Sequence, residues 1–284
     1  MSQIKNILVT GGTGKTGRAV IKTLLKKGIK PRVAARNIVT DSTTDFVRFD
    51  WLDDTTHEKA LESIDAVYIV APTLVLDPVP SVEGFIRKAM SLGVKRFVLL
   101  SSSAIPMGGP AMGQIHQFLA ENAEQWTVLQ PSWFMQNFTE GHHGDSIKND
   151  NAIYSATQTA GVGFIDAEDI GKTAAEYLLA PKALNGSAVL TGSTSPNYQE
   201  VAKIISSVVG RKIRHVTLTE AELAERFEKV VEVPQDYAQF LAGLDAFLAG
   251  GSEDRVTDVV DEMTGHSAKS FKEFANENKN AWQQ

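Results

Sequence analysis

The sequence predicts an α/β protein: a doubly wound parallel sheet followed by a smaller C-terminal α/β lobe. Two observations carry this. Over residues 1–130, short and almost wholly apolar segments alternate with segments of helical periodicity, the pattern of a parallel sheet covered on both faces. A glycine-rich turn joins the first apolar segment to the first helical one. The size agrees. At ~150 residues per domain, a chain of 284 residues with 43% hydrophobic and 22% charged residues is one large domain or two small ones.

Ile4 to Thr10 reads as a buried strand, and Arg18 to Lys27 as a helix with Ala19, Val20, Leu24 and Leu25 on one side. Arg32–Ala35 and Phe46–Phe49 are short strands, His57–Ser63 a helix, and Ala66–Val70 an apolar fourth strand. Val82–Leu92 is a helix stopped by Gly93, Arg96–Leu100 a fifth strand, Gln114–Glu124 a helix and Trp126–Leu129 a sixth strand. After Pro131 the alternation becomes irregular. A loop-rich stretch, Gly141 to Gly163, precedes a helix from Asp169 to Leu179, with Asp169 as its cap or as a strut between the lobes. A strand near Ala188–Leu190 follows, then a helix from Tyr198 to Val209 and a strand from Arg214 to Leu218. Thr219 and Glu222 form a capping-box pattern at the next helix. Helices from Pro234 to Leu248 and Ser267 to Asn278 close the chain. Residues 1–130 are thus expected as a dinucleotide-binding core. Residues 131–284 are expected as a smaller lobe interleaved with it in one structural unit, forming the far wall of a cleft above the strand ends.

Composition removes several function classes. No cysteine is present, which excludes disulfides, thiolate metal sites and cysteine nucleophiles. A net charge of −6 argues against a general nucleic-acid binder. No segment reads as a signal peptide or membrane span, so a cytoplasmic protein without membrane contact is expected. The adjacent His142 and His143 lack partner spacing, and no metal site is expected.

The turn Thr10-Gly11-Gly12-Thr13-Gly14-Lys15-Thr16-Gly17 places glycines at G-x-x-G-x-x-G spacing between strand and helix. Glycines admit a pyrophosphate close to the backbone, and the helix N-terminus offers N–H donors to it. A Walker A loop would need a further glycine at position 9, which is Val9. The sheet is therefore read as Rossmann-type, with Gly11, Thr13, Gly14, Lys15, Thr16 and Gly17 at the cofactor. An NAD site wants a carboxylate at the end of the second strand. Arg36 stands there, and positions 18–40 hold no Asp or Glu but seven cations. A guanidinium favours a ribose 2′-phosphate, which points to NADP(H). Most of the neighbouring lysines read as a solvated helix face.

Asp50 falls at an adenine-contacting position or is a turn cap, and Trp51 or Leu52 would cover the ring. Ala71, Pro72 and Thr73 end the fourth strand near the cofactor ribose. Ser101, Ser102 and Ser103 end the fifth, as ligand contacts toward the nicotinamide or as turn caps, with Ser103 on the substrate side.

The glycine turn, Phe97–Ser103, Leu129-Gln130-Pro131-Ser132-Trp133-Phe134-Met135-Gln136-Asn137-Phe138, Phe164–Ile170 and Thr264-Gly265-His266 with Phe271 together resemble the NmrA-like branch of atypical short-chain dehydrogenase/reductases. The likeness spans nearly the whole chain. Within the branch, His116–Leu119 followed by Pro131–Met135 is most similar to the ergot-alkaloid festuclavine/agroclavine dehydrogenase group. The resemblance implies a nicotinamide-dependent oxidoreductase, or a redox-sensing regulator that binds the dinucleotide without turnover. Better-known relatives use a Tyr-x-x-x-Lys pair for proton transfer. Aligned on Trp126 and Pro131, those places hold Gly108 and Met112, and the chain contains no such pair. Two acceptors suit a hydride donor without that acid: an iminium, and a quinone-like molecule. Phe97–Ala120 and Trp126–Thr139 are free of Asp, Glu, Lys and Arg. Ser103, Met112, Trp133, Phe134 and Phe138 are therefore the candidate substrate wall, for a small apolar or cationic heterocycle. His116, the one titratable side chain of the uncharged stretch, is the candidate proton donor, or else an ordinary hydrogen-bonded helix residue.

Overall fold

The computed structural model describes residues 4–37, 44–72, 75 and 77–283. In chain order the first elements are β1 (Ile7–Val9), α1 (Lys15–Lys26), β2 (Arg32–Ala35), β3 (Asp45–Arg48), α2 (His57–Leu61), β4 (Ala66–Ile69), α3 (Val79–Ser91) and β5 (Arg96–Leu100). Next come α4 (Met112–Asn122), β6 (Gln125–Pro131), α5 (Gly141–Asp150), β7 (Ala152–Ser155), α6 (Ala167–Leu179), β8 (Gly186–Leu190) and α7 (Tyr198–Val209). The last are β9 (Arg214–Thr217), α8 (Glu220–Lys229), α9 (Gln235–Ala249), α10 (Val259–Thr264) and α11 (Phe271–Glu277).

The chain divides into two compact units, each drawn from three stretches of chain. One unit comprises residues 1–131, 167–190 and 259–266; the other comprises 132–166, 191–258 and 267–284. Segments 167–190 and 259–266, assigned from sequence to the C-terminal lobe, belong to the first unit. The reason lies in β8, which pairs with β6 through Thr127↔Gly186 to Pro131↔Leu190, while α6 packs on α1 and α10 packs on α6 and β8.

In the first unit, the described strands form one parallel sheet in the order β3-β2-β1-β4-β5-β6-β8. Ile7, Leu8, Val9, Val67, Tyr68, Ile69, Phe97, Val98 and Leu99 are completely buried, as strands covered on both faces must be. The order reverses between β1 and β4, and in such sheets ligands bind beyond the strand C-termini at that switch point. On one face α1 packs against α6 so closely that a Cβ on Gly171 would sit 2.4 Å from Ala19 Cβ. Lys22–Glu168 (2.8 Å) and Lys27–Glu176 (2.7 Å) pair along the same contact.

The second unit is built on an aromatic core of Phe138, Phe164, Tyr198, Phe271, Phe274 and Trp282, all at most 1% exposed. Trp282 Nε1 donates to the Phe138 carbonyl (2.6 Å). Strands β7 and β9 pair in parallel. The Thr219–Glu222 capping box forms, with two more at Asn197–Glu200 and Ser270–Glu273. Three segments differ from expectation. The loop-rich stretch contains α5 and β7: α5 has little apolar periodicity, but its Gly144 packs so tightly that a Cβ would lie 2.8 Å from the Thr139 carbonyl carbon. Helix α6 begins at Ala167, so Asp169 lies within its first turn, buried and accepting from Lys172 Nζ (2.8 Å). Helix α10, only six residues long, carries too short a pattern to be read.

Candidate cofactor site

Thr10 sets the turn at the end of β1. Its hydroxyl donates to the Tyr68 carbonyl (3.0 Å) and accepts from Val70 N–H (2.8 Å), which ties β1 to β4 where the chain must reverse. Gly11 then adopts a positive φ of 60°. The three motif glycines do different work. A Cβ on Gly11 would meet Val70 Cβ at 2.8 Å, and one on Gly17 would meet the Gly11 carbonyl oxygen at 2.2 Å. Both are packing constraints within the protein. A Cβ on Gly14 would meet only the Gly11 carbonyl oxygen, at 3.1 Å, and otherwise point away from the protein. Gly14 is the N-cap of α1, with no side-chain cap and no acidic residue in the first turn. Thr13 is exposed beside it, Lys15 opens the helix half-buried, and Thr16 is buried. A helix N-terminus without a side-chain cap, behind a glycine that leaves the approach clear, fits a pyrophosphate.

Arg36 follows β2 directly, is exposed, and forms no ion pair with the described residues. Arg32, four residues earlier, is committed to Asp45 (3.0 Å) and the Glu62 carbonyl (2.7 Å). Of the basic run, Lys22, Lys27 and Arg32 thus have structural partners, and Arg36 stands at the strand end.

Asp50 is a turn cap in this structure: its Oδ1 accepts from Leu52 N–H (3.0 Å), and its carbonyl meets His57 Nε2 (2.9 Å). Trp51 packs edge-on against Phe49 (4.9 Å) and Phe85 (5.1 Å), so part of its surface belongs to the core. Ala71 and Pro72 are half-buried beyond β4, and Thr73 lies outside the described residues. Past β5, Ser101 N–H donates to the Leu129 carbonyl (2.8 Å) and Ser103 N–H to the Pro131 carbonyl (3.0 Å). Ser102 Oγ accepts from Ala104 N–H (3.3 Å), a turn-capping contact. Ser101 Oγ is enclosed with no hydrogen-bond partner among the described residues. Sequence reasoning passed over Gln130, whose buried amide donates to the Ile105 carbonyl (2.8 Å) and pins the loop after β5 to β6. Its signal was the Leu129–Phe138 motif that contains it.

Two expectations need correction. His116 is 4% exposed, and its ring faces Trp126 at 5.4 Å. Trp126 is the second residue of β6, five residues or ~16 Å from the strand's C-terminal end at Pro131. Burial also lowers the His116 pKa. Helical periodicity turned His116 inward, but toward the wrong end of the sheet for a proton donor to a hydride acceptor. Phe138 is wholly buried in the core of the second unit, stacked on His143 (5.2 Å) and edge-on to Phe164 (5.1 Å), and is not a substrate wall.

Met112 opens α4 and packs on the core of the first unit. Gly108 has φ 78°, a backbone suited to glycine and not to tyrosine. In the second unit Trp133 and Phe134 are half-buried, and Trp133 lies nearly parallel to the exposed ring of Phe247 (6.5 Å, 19°). Phe247 was missed because its helix lies more than a hundred residues on in the chain.

A switch-point glycine turn of this construction defines a dinucleotide-binding Rossmann-fold protein, and residues 11–181 match the NAD(P)H-binding family. Residues 111–276 match the NmrA-like family. The chain belongs to the NmrA-like NAD(P)H-binding oxidoreductases. It is 40% identical to the oxidoreductase YesF of Bacillus subtilis (strain 168) over 95% of this chain and 93% of that one. It is 41% identical to agroclavine dehydrogenase of Claviceps fusiformis over 97% and 98% respectively. Its fold is similar to the NADPH complex of the quinone oxidoreductase QOR2 of Escherichia coli, with a TM-score of 0.84 at 20% identity, covering 95% of this chain and 99% of that one. No helix of the described residues is long and apolar enough to cross a membrane.

Proposed function

We propose that the protein is an NADPH-dependent reductase of an imine, iminium or quinone-like small molecule that works without a Tyr-x-x-x-Lys pair. When bound, NADPH supplies the hydride. The protein's own residues bind and orient. The α1 N-terminus behind Gly14 takes the pyrophosphate, Arg36 takes the 2′-phosphate, and Ser101 and Ser102 lie on the nicotinamide side. Ala71 and Pro72 lie at the ribose, while Asp50 and Trp51 shape the adenine end. Ser103 and Met112 of the first unit, and Trp133 and Phe134 of the second, are the candidates for contact with the acceptor.

The observation that carries this reading is the absence of an acid where the family's pair would stand. Gly108 and Met112 occupy those positions, and His116 faces Trp126 instead. A ketone that accepts hydride becomes an alkoxide and needs a proton, and a positioned donor is worth about 10²–10⁴-fold in rate. An iminium becomes a neutral amine and needs none. Relatives named agroclavine dehydrogenase, at 38–41% identity, support a small heterocyclic substrate. The test is NADPH oxidation with a matched cyclic iminium and ketone, together with a quinone. The iminium or quinone should turn over and the ketone should lag by about 100-fold or more. Equal turnover of iminium and ketone overturns the mechanism. Tight dinucleotide binding with no acceptor reduced would indicate a sensor instead.

A further inference from the structure

Asp245 is a buried carboxyl of the second unit, on the face of α9 that also carries Ala238, Ala242 and Leu248. Its Oδ2 accepts from the Ala156 N–H (3.0 Å), and no cation pairs with it among the described residues. The groups around it are committed elsewhere. On α8, Arg226 bonds Asp150 (2.8 Å) and covers the Tyr154 ring (3.5 Å), Glu220 lies beside Gly243, and the remaining charges are exposed. On β9, His215 Nε2 meets Ser155 Oγ (2.8 Å). On α5, His142 packs on Phe227 and His143 on Phe138. The Tyr198 hydroxyl of α7 is raised well above its ordinary value by burial and then by the charge of Asp245.

The Ala156 side of this contact is fixed. Ser155 and Thr157 flank it, their hydroxyls bond each other (2.8 Å), and Ser155 also holds His215. The helix side is not fixed in the same way. Two of the four buried side chains of α9 are alanines, which bury little area, so Leu248 and Asp245 hold its C-terminal half. Phe247 stands between these two in sequence, and its ring lies nearly parallel to Trp133 (6.5 Å, 19°). Trp133 is itself held apart from α9, its carbonyl accepting from the Ile165 N–H (2.9 Å). A purely structural role at position 245 needs only an acceptor for Ala156, which an amide would supply without placing a charge in the core. A carboxyl adds a proton that can be lost. The Ala156 bond favours the ionised form, but burial outweighs it and pushes the carboxyl up to about 7. An ionised Asp245 therefore gains by moving toward water, and α9 moves with it.

We propose that Asp245 is a positioning residue for acceptor recognition: protonated, it seats α9 so that Phe247 faces Trp133, and ionised, it loosens that seat. The inference rests on the reading of Trp133 as part of the acceptor wall. The only chemical change is the loss of one proton from Asp245 to solvent.

The test is KM for the acceptor from about pH 6 to about pH 8.5, in wild type and in Asp245→Asn, which keeps an acceptor for Ala156 but cannot ionise. Wild-type KM should rise roughly three- to tenfold as the seated fraction falls. The KM of Asp245→Asn should stay near the wild-type acid value throughout. Calorimetric NADPH affinity should not differ between the two proteins at any pH. A second readout needs no turnover: acrylamide quenching of Trp133, taken as the difference between the chain and its Trp133→Phe variant. Quenching should increase over the same pH range in wild type and stay constant with Asp245→Asn. Parallel KM profiles in the two proteins overturn the proposal. So does constant Trp133 quenching in wild type, a result that stands even if Asp245→Asn fails to fold. NADPH affinity that moves with Asp245→Asn also overturns it, because that marks a general loosening of the protein. If no acceptor is reduced at all, the reading of function fails and Trp133 quenching alone decides the seat.

Discussion

The glycine turn makes a quantitative prediction, because two of its glycines face different neighbours. At Gly17 a methyl group would sit 2.2 Å from the Gly11 carbonyl oxygen and 2.8 Å from Gly12 Cα, and backbone atoms of a tight turn cannot move aside. Overpacking of this kind costs about 1–3 kcal/mol, so Gly17→Ala should lower the melting temperature by roughly 2–10 °C. At Gly14 the backbone is extended (φ −82°, ψ 178°), a conformation valine adopts readily, and the Cβ meets only one atom, at 3.1 Å. Gly14→Val should therefore fold, losing about 1 kcal/mol from the poorer N-cap. Its side chain would block the approach to the α1 N–H groups. Losing two charge-assisted hydrogen bonds at ~1.5–3 kcal/mol each weakens NADPH at least about 100-fold. Thermal melts by circular dichroism and calorimetric titration with NADPH read the two effects separately. If Gly14→Val is destabilised as much as Gly17→Ala and still binds NADPH as wild type does, the phosphate position is wrong.

Arg36→Ala should remove most of a preference for NADPH over NADH that is tenfold or more in wild type, because a charge-assisted contact is worth ~1.5–3 kcal/mol; equal affinities in wild type, measured by calorimetry, refute the assignment. Phe138→Ala should cost about 3–5 kcal/mol of stability, as a cavity in an aromatic core does. Trp133→Ala should instead raise KM for a cyclic imine with NADPH affinity unchanged, and the reverse pattern would exchange their roles. Burial pushes the Asp245 carboxyl up to about 7, with the Ala156 N–H bond opposing it. Since the unfolded value is ~3.9, the folded state holds the extra proton, and stability present at low pH is lost as pH rises toward about 7. The melting-temperature advantage of Asp245→Asn over wild type should therefore widen from about pH 5 to about pH 8, and a constant gap across that range contradicts the linkage.

Much of the first unit was legible in the sequence because its signals are local. Fully buried parallel strands such as Val67–Ile69 are continuous apolar runs, and the turn at Gly11–Gly17 is read from glycine spacing alone. The place of Arg36 at the end of β2 was legible because the strand's apolar run stops directly before it. The elements missed in the second half, α5 and α10, are short or weakly amphipathic. Their helicity comes from packing, as at Gly144 against Thr139, which no local pattern records.

The sequence by itself determined the fold class, the dinucleotide turn, the missing Tyr-x-x-x-Lys pair and the family, since each rests on residue type at fixed spacing along one segment. Only the tertiary structure decided which residues share an environment. It returned 167–190 to the first unit through the pairing of β8 with β6, and turned His116 toward Trp126 instead of the strand ends. It buried Phe138, closed a turn with Asp50, and brought Phe247 to Trp133 across more than a hundred residues of chain. The physical reason is common to all of these: spacing fixes which face of its own element a side chain occupies, but what meets that face is settled by contacts distant in sequence.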